Sequence, residues 1–269
     1  VAAEAGTNQS VERAVAVLRA FTGAGDRPLR AAEIAKAAGL GQSTASRLLG
    51  TLEQAAFVER DDDGQYRLGA DLITLAGAAV NGHPVHQAAR QRAQSLAAAT
   101  GLGANVAVRR GPHAFYLCNF EGQLAPRSFA LTGRRNPLHA TALGKCLLLG
   151  VTDPRDLLGE LIGYTAHTIT DHDVLDSELE QVTWQGYSTE AEQLSLGRSC
   201  LAAPLRDRTG QVVAALSLSG PSSVVDLPAR ERELSRLVLE TADAINSQLG
   251  HHGPTNHRIP APARHDLRS

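Results

Sequence analysis

The strongest constraint on this chain is local. Two short amphipathic patterns are separated by Gly39-Leu40-Gly41 and followed by a hairpin signature. Ile34, Ala35 and Ala38 mark the first pattern, which ends at Gly39. Ala45, Leu48, Leu49, Leu52 and Ala56 mark the second, which starts near Gln42-Ser43. Apolar residues recurring at this spacing share one helix face, so each segment needs a partner to bury it. Upstream, Val11, Ala14, Val15, Leu18 and Phe21 form a third such face, with Ser10 as the expected cap and Gly23-Ala24-Gly25-Asp26 as the break. Downstream, Phe57-Val58-Glu59-Arg60 and Gln65-Tyr66-Arg67-Leu68 flank Asp61-Asp62-Asp63-Gly64. Asp-Gly between strand-like runs favours a tight hairpin. Residues 10–68 therefore read as a winged helix-turn-helix. Val58, Tyr66 and Leu68 are expected to face the helices, and Arg60 and Arg67 to face out.

The second helix of the pair carries chemistry on its other side. Gln42, Ser43, Thr44, Ser46 and Arg47 form a polar, mostly short-chained start. A helix N-terminus offers free N–H groups to a phosphate, and Gln and Arg carry paired donors suited to base edges in a major groove. Such a face could equally be a solvated one; the hairpin tips the reading towards double-stranded operator DNA, with Arg60 and Arg67 on phosphates. Residues 1–70 hold eight basic and nine acidic side chains, and the wing tip is triply acidic. The tip should avoid phosphate, leaving contact to the strand flanks.

At 269 residues and 28.4 kDa the chain fits one large domain or two modest ones. A net charge of −2 excludes a uniformly basic nucleic-acid glue but not one DNA-binding face. Cys118, Cys146 and Cys200 lack any C-x-x-C spacing, which argues against a disulfide framework or a metal site. No apolar run is long enough to span a membrane and no leader is evident, so the cytoplasm is the expected location. Residues 1–9 read as a flexible N-terminus, 69–100 as two linker helices broken at Asn81-Gly82-His83-Pro84, and 250–269 as a disordered tail. Leu72, Leu75, Ala76 and Ala79 give the linker an apolar face that a lone helix could not bury, so it is expected to pack on its copy in a homodimer. Residues 101–249 read as α+β with a largely antiparallel sheet. Its expected strands are Asn105–Val108, Ala114–Leu117, Ser128–Leu131, Ser199–Leu205 and Val212–Leu218, with helices at Thr141–Leu149 and along Leu234, Leu237, Val238, Thr241, Ile245 and Leu249.

Two rival classes compete with this reading. An enzyme would need a nucleophile: Gly41-Gln42-Ser43-Thr44-Ala45 is a partial nucleophile elbow, but its last Gly is missing and no strand precedes it. Cys146 with His139 could form a nucleophile–base pair, and Asp171-His172-Asp173 could hold a metal, although a solvated helix start suits that triplet better. No Gly-rich phosphate loop is present, and no cofactor is expected. An adaptor would need no pocket at all.

The segments NQSVERAVAVLRAF and AEIAKAAGLGQSTASRLLGTLEQAAFVERDDDGQYRLG, with PLHATALGKCLLL and GYSTEAEQLSLGRSCLAAPLRDRTGQVVAALSLSGP, resemble the IclR family of bacterial transcriptional regulators over residues 8–249. The resemblance implies a winged helix-turn-helix joined by a linker helix to a GAF-like α/β effector-binding domain. It also implies dimers that often pair into tetramers, and a small organic acid as effector. It further implies effector contacts at Ala142, Leu143, Glu190, Cys200, Ser217 and Ser219. Arg30 departs from the family, where a Ser or Thr often caps the second helix. Ser217 and Ser219 also share one side of a strand by their spacing alone. Arg198 lies two residues before Cys200, where the family often has an apolar residue. An arginine there could clamp a carboxylate, or pair with Glu190.

Overall fold

The computed structural model describes residues 8–23, 25, 27–126 and 130–253. The chain divides into two compact units at Asn81/Gly82.

In the first unit, α1 (Gln9–Ala20), α2 (Ala31–Ala37) and α3 (Gln42–Gln54) precede the ribbon β1 (Val58–Arg60) and β2 (Tyr66–Leu68), then α4 (Ala70–Asn81). Their core is Val17, Phe21, Leu29, Ile34, Leu49, Leu52, Val58 and Tyr66. The cap of α1 is Asn8, whose side chain accepts from the Ser10 N–H at 3.0 Å, so Ser10 is inside the helix. Starting there, α1 turns Val17 inward and leaves Val11 and Val15 exposed, against expectation. At α2 the cap is Arg30, with no side-chain bond of its own; instead Glu33 accepts from the Arg30 N–H at 2.9 Å and pairs with Arg27. Ala56 lies beyond α3, exposed and at φ 54°, where it turns the chain into β1 rather than extending the apolar face.

The second unit begins with α5 (Pro84–Thr100). Residues 69–100 are expected as two linker helices broken at 81–84; α4 and α5 are those helices, and α5 buries Val85, Ala89, Ala93, Leu96 and Ala97 in the core of this unit. Small alanines let the helix approach the sheet closely, so an alanine-rich pattern that reads as a connector is a core helix. Then come β3 (Gly103–Arg110), β4 (His113–Phe120), β5 (Arg135–Pro137), α6 (Ala142–Leu148), α7 (Pro154–Leu158), α8 (His172–Gln185), β6 (Ser188–Ala191), β7 (Arg198–Arg206), β8 (Val212–Pro221), α9 (Ser222–Val225) and α10 (Leu227–Gln248).

The sheet runs β5-β4-β3-β8-β7-β6, antiparallel throughout. Its alternation sorts two cores. Val106, Leu201, Leu216 and Leu218 pack with α5 and α10; Ala107, Ala202 and Ala215 pack with α6 and α8. The α+β reading with an antiparallel sheet is what the unit shows. The strand expected at Ser128–Leu131 falls partly on residues outside those described, and Leu131 is buried outside any strand. The expected flexible N-terminus and tail lie outside the described residues up to residue 7 and from residue 254. Among the described residues no helix is long and apolar enough to cross a membrane.

His83 caps α5: its Nδ1 accepts from the Val85 N–H at 3.3 Å, which requires an unprotonated nitrogen. Burial first, then the nearby Arg110 charge, hold its pKa below the ordinary 6.5. The stability linked to this depressed pKa is therefore present above 6.5 and lost as pH falls through the lower folded value. Asn caps without titrating, so His83→Asn should reduce the drop in melting temperature between about pH 7.5 and 5.5. An unchanged drop in thermal melts at the two pH values would contradict the capping role.

Candidate effector cavity and reading helix

A cavity of about 430 Å³ opens on the α6/α8 side of the sheet. Strand register explains its wall. Cys200 lies opposite Ser219 and Glu190, and Ala202 opposite Ser217, so β6, β7 and β8 direct these side chains to one face. Ala142 and Leu143 come from the start of α6, where Thr141 accepts from the Gly144 N–H at 3.0 Å and donates to the Pro137 carbonyl. Gly144 is needed at that point: a Cβ there would stand 2.0 Å from the Leu138 carbonyl oxygen. All seven side chains expected at an effector site, Ala142, Leu143, Glu190, Arg198, Cys200, Ser217 and Ser219, line this one cavity.

Sequence reasoning placed a strand at Asn105–Val108 but missed its part in the site. Asn105 on β3 donates from Nδ2 to Ser217 Oγ (3.2 Å) and Ser219 Oγ (3.1 Å), and its Oδ1 accepts from Asn119 at 2.9 Å. Asn136 donates to the Tyr116 hydroxyl at 3.0 Å on the same cavity lining. The available signal was the amide of Asn105 among the otherwise apolar residues that open β3, ahead of Arg109 and Arg110.

Glu190 is buried. Its Oε1 accepts from the Gln193 N–H at 2.5 Å and the Leu194 N–H at 3.4 Å, and burial is the leading cause that raises its pKa above the usual carboxylate value. Arg198 does not pair with it. Among the described residues no ion pair joins Arg198 to an acid, and its Nη2 is buried without a hydrogen-bond partner. Behind the wall, Lys145 on α6 is fully buried and reaches Glu178 at 2.6 Å.

The nucleophile candidates are otherwise engaged. Cys146 is buried, contacts the Ala202 carbonyl, and burial pushes its thiol up to about 12, as it does for Cys118. His139 bonds the Ile162 carbonyl. Asp171 caps α8, Asp173 pairs with Arg155, and His172 bonds the Gly159 carbonyl. Among the described residues no cluster of three or more metal-ligating side chains occurs.

In the first unit, Gly41 leaves the start of α3 without a side-chain cap. Gln42, Ser43, Ser46 and Arg47 are exposed and Thr44 is half-buried, while Ala45, Leu49 and Leu52 are buried beneath. The wing departs from expectation. Arg60 lies opposite Tyr66, on the same face, with its guanidinium 5.6 Å from that ring. Arg67 is on the other face and 4.0 Å from Asp61. Leu68 shares the face of Val58 but is about half exposed.

A family model described as the IclR helix-turn-helix domain matches residues 10–62, and one described as the bacterial transcriptional regulator IclR C-terminal matches 77–247. The chain is 34% identical to the HTH-type transcriptional regulator XynR of Escherichia coli over 223 residues, 81% of this chain and 88% of that protein. It is 32% identical to the HTH-type transcriptional repressor AllR of Escherichia coli over 250 residues, 90% of each. Among solved structures, an IclR homologue from Microbacterium hydrocarbonoxydans complexed with 4-hydroxybenzoate superposes with a TM-score of 0.78 at 26% identity, covering 90% of this chain and 99% of that one.

Proposed function

This chain belongs to the IclR family of bacterial DNA-binding transcriptional regulators, a family of regulators rather than enzymes, and we propose that it is a repressor whose hold on operator DNA responds to a small organic acid. The observation that carries the acid is Arg198. A buried guanidinium nitrogen without a partner, on a residue that lines a cavity with two serines, is costly unless a ligand satisfies it. The similarity to a repressor supports the sign, and a relative bound to 4-hydroxybenzoate supports an acid. On this reading Gln42, Ser43, Thr44, Ser46 and Arg47 meet the major groove, and Arg60 and Arg67 the phosphates. Asp61 and Tyr66 already engage the two wing arginines, so α3 carries most of the recognition.

A single winged helix covers a short site, and a symmetric pair doubles the contact. Within α4 no residue is buried, and Ile73 (76% exposed) and Leu75 (53%) stand in solvent. We infer that the face formed by Leu72, Leu75, Ala76 and Ala79 meets its copy in a homodimer, with further pairing to a tetramer open to the same measurement. Light scattering at micromolar concentration should give at least twice the chain mass; a monomer would sink this assignment.

Arg47→Ala should weaken operator binding by about 1–3 kcal/mol, the worth of one bidentate base contact. Unaltered affinity in a gel shift at fixed salt would remove Arg47 from the interface.

Ligand can change operator affinity only if it binds two conformations unequally. A gel shift on the gene's own upstream region, with a panel of organic acids, should show an acid that alters the shift. Arg198→Ala should keep operator binding and lose that response, at a cost of about 1.5–3 kcal/mol in acid affinity. A normal response in the variant would make Arg198 structural.

A further inference from the structure

We infer that the second unit carries a DNA-binding surface of its own: Arg90 on α5, Arg110 on β3 and Arg135 on β5 hold backbone phosphates of duplex DNA, whatever its sequence. The inference goes beyond the reading above, which places every DNA contact on the first unit.

The sequence first separates the charges. From Leu72 to Phe120 the chain has no Asp or Glu, yet it has four arginines and three histidines. Strand register then gathers them. Arg135 lies opposite Phe115, which lies opposite Val108, and two residues on from Val108 comes Arg110, opposite His113. Cross-strand partners and residues two apart share a face, and Val108 packs in the core under α5. Arg110, His113 and Arg135 therefore lie on the α5 side of the sheet. The helix brings the rest: His83 caps it, and His86 and Arg90 follow within about two turns. The Arg110 charge bears on His83 and the Arg90 charge on His86, and no acid is among the groups that act on either. Arg90, Arg110 and Arg135 are exposed, and among the described residues none of them has an ion pair. Positive charges held together without a counter-charge repel one another, and an external anion relieves that repulsion.

The form of the surface and the charge of the first unit select duplex DNA as that anion. The three arginines stand on three separate elements, and none of them lines a cavity among the described residues. A spread, open surface fits an extended polyanion better than a free ion. Residues 1–70 hold eight basic and nine acidic side chains. Neutralised phosphates supply most of the sequence-independent affinity for DNA, so a reading unit of that balance gains from a basic surface elsewhere in the chain. The surface starts at His83, two residues past the end of α4 at Asn81, and is thus tethered to the reading unit by one helix.

The test is the salt dependence of binding to a random-sequence duplex, read by fluorescence anisotropy on the purified full chain. A duplex of about 40 base pairs extends past two half-sites one helical turn apart. Each phosphate contact contributes about 0.9 to the slope of log affinity against log salt. Arg90→Gln, Arg110→Gln and Arg135→Gln combined should lower the slope by about 2–3 and weaken binding about tenfold or more near 0.1 M salt. Arg92→Gln, Arg208→Gln and Arg232→Gln combined remove the same formal charge from other exposed positions and should change the slope by less than about 1. On the unaltered chain, duplex should shield Arg90, Arg110 and Arg135 from phenylglyoxal, mapped by mass spectrometry, and leave Arg92 and Arg232 reactive. Equal slopes in the two triple variants, or no shielding, would overturn the surface. Polyglutamate of matched charge displacing the duplex more readily than unlabelled duplex does would make this a face for an acidic protein, and would overturn the DNA assignment. Operator binding by α3 is read separately through Arg47→Ala, so failure here leaves the proposed function standing.

Discussion

The pairing of β7 with β8 is the contact on which the second unit depends. It runs from Arg198↔Pro221 to Arg206↔Val212 and lies inside the sheet, with β3 and β6 on either side. Its turn is held by Asp207, whose side chain accepts from the Thr209 and Gln211 N–H groups, and by Gly210 at φ 82°. Because side chains alternate with a period of two, a slip of one residue would exchange Ser217 and Ser219 for Leu216 and Leu218. The same slip would lose the apolar face under α5 and α10 and the polar wall of the cavity together. Core and site are two sides of one register.

That arrangement explains how a polar cavity survives in the interior. Buried donors and acceptors are tolerated when they are mutually satisfied, and a network left incomplete is a functional signal. Asn119, Asn105, Ser217 and Ser219 form such a chain across β4, β3 and β8. Arg198 Nη2, from β7, is buried on the same cavity lining without a partner. Glu190 takes hydrogen bonds from its own turn and from the Cys200 side chain. The cavity is thus shaped by what the protein leaves undone on a rigid sheet.

The first unit makes the complementary choice. Its small core is apolar, and its polar chemistry is pushed to the uncapped start of α3. The acidic wing tip and the engagement of Arg60 by Tyr66 and of Arg67 near Asp61 leave the ribbon poor in free positive charge. In the function proposed above, affinity for DNA leans on α3 and on duplication of the unit through the exposed apolar residues of α4.

Much of this was legible in the chain itself. Helical spacing in residues 31–54, the Asp-Gly turn, and the serines two apart depend on near neighbours, and local periodicity reports them faithfully. The winged helix-turn-helix and the antiparallel sheet took their expected places, and Ala142, Leu143, Glu190, Cys200, Ser217 and Ser219, read through the family resemblance, line one cavity. What escaped was set by partners distant in sequence. Asn105 meets Ser217 across 112 residues, so nothing near it marks it as part of a site. The short strands β5 and β6 exist because β4 and β7 offer open edges, not because three or four residues prefer extension. Whether α5 is linker or core turns on the sheet beneath it, and whether Arg60 faces solvent or Tyr66 turns on the ribbon register. The sequence by itself determined which faces are apolar and where the chain turns. Tertiary structure decided which polar groups meet, because hydrogen bonds between strands depend on a register that no single strand contains.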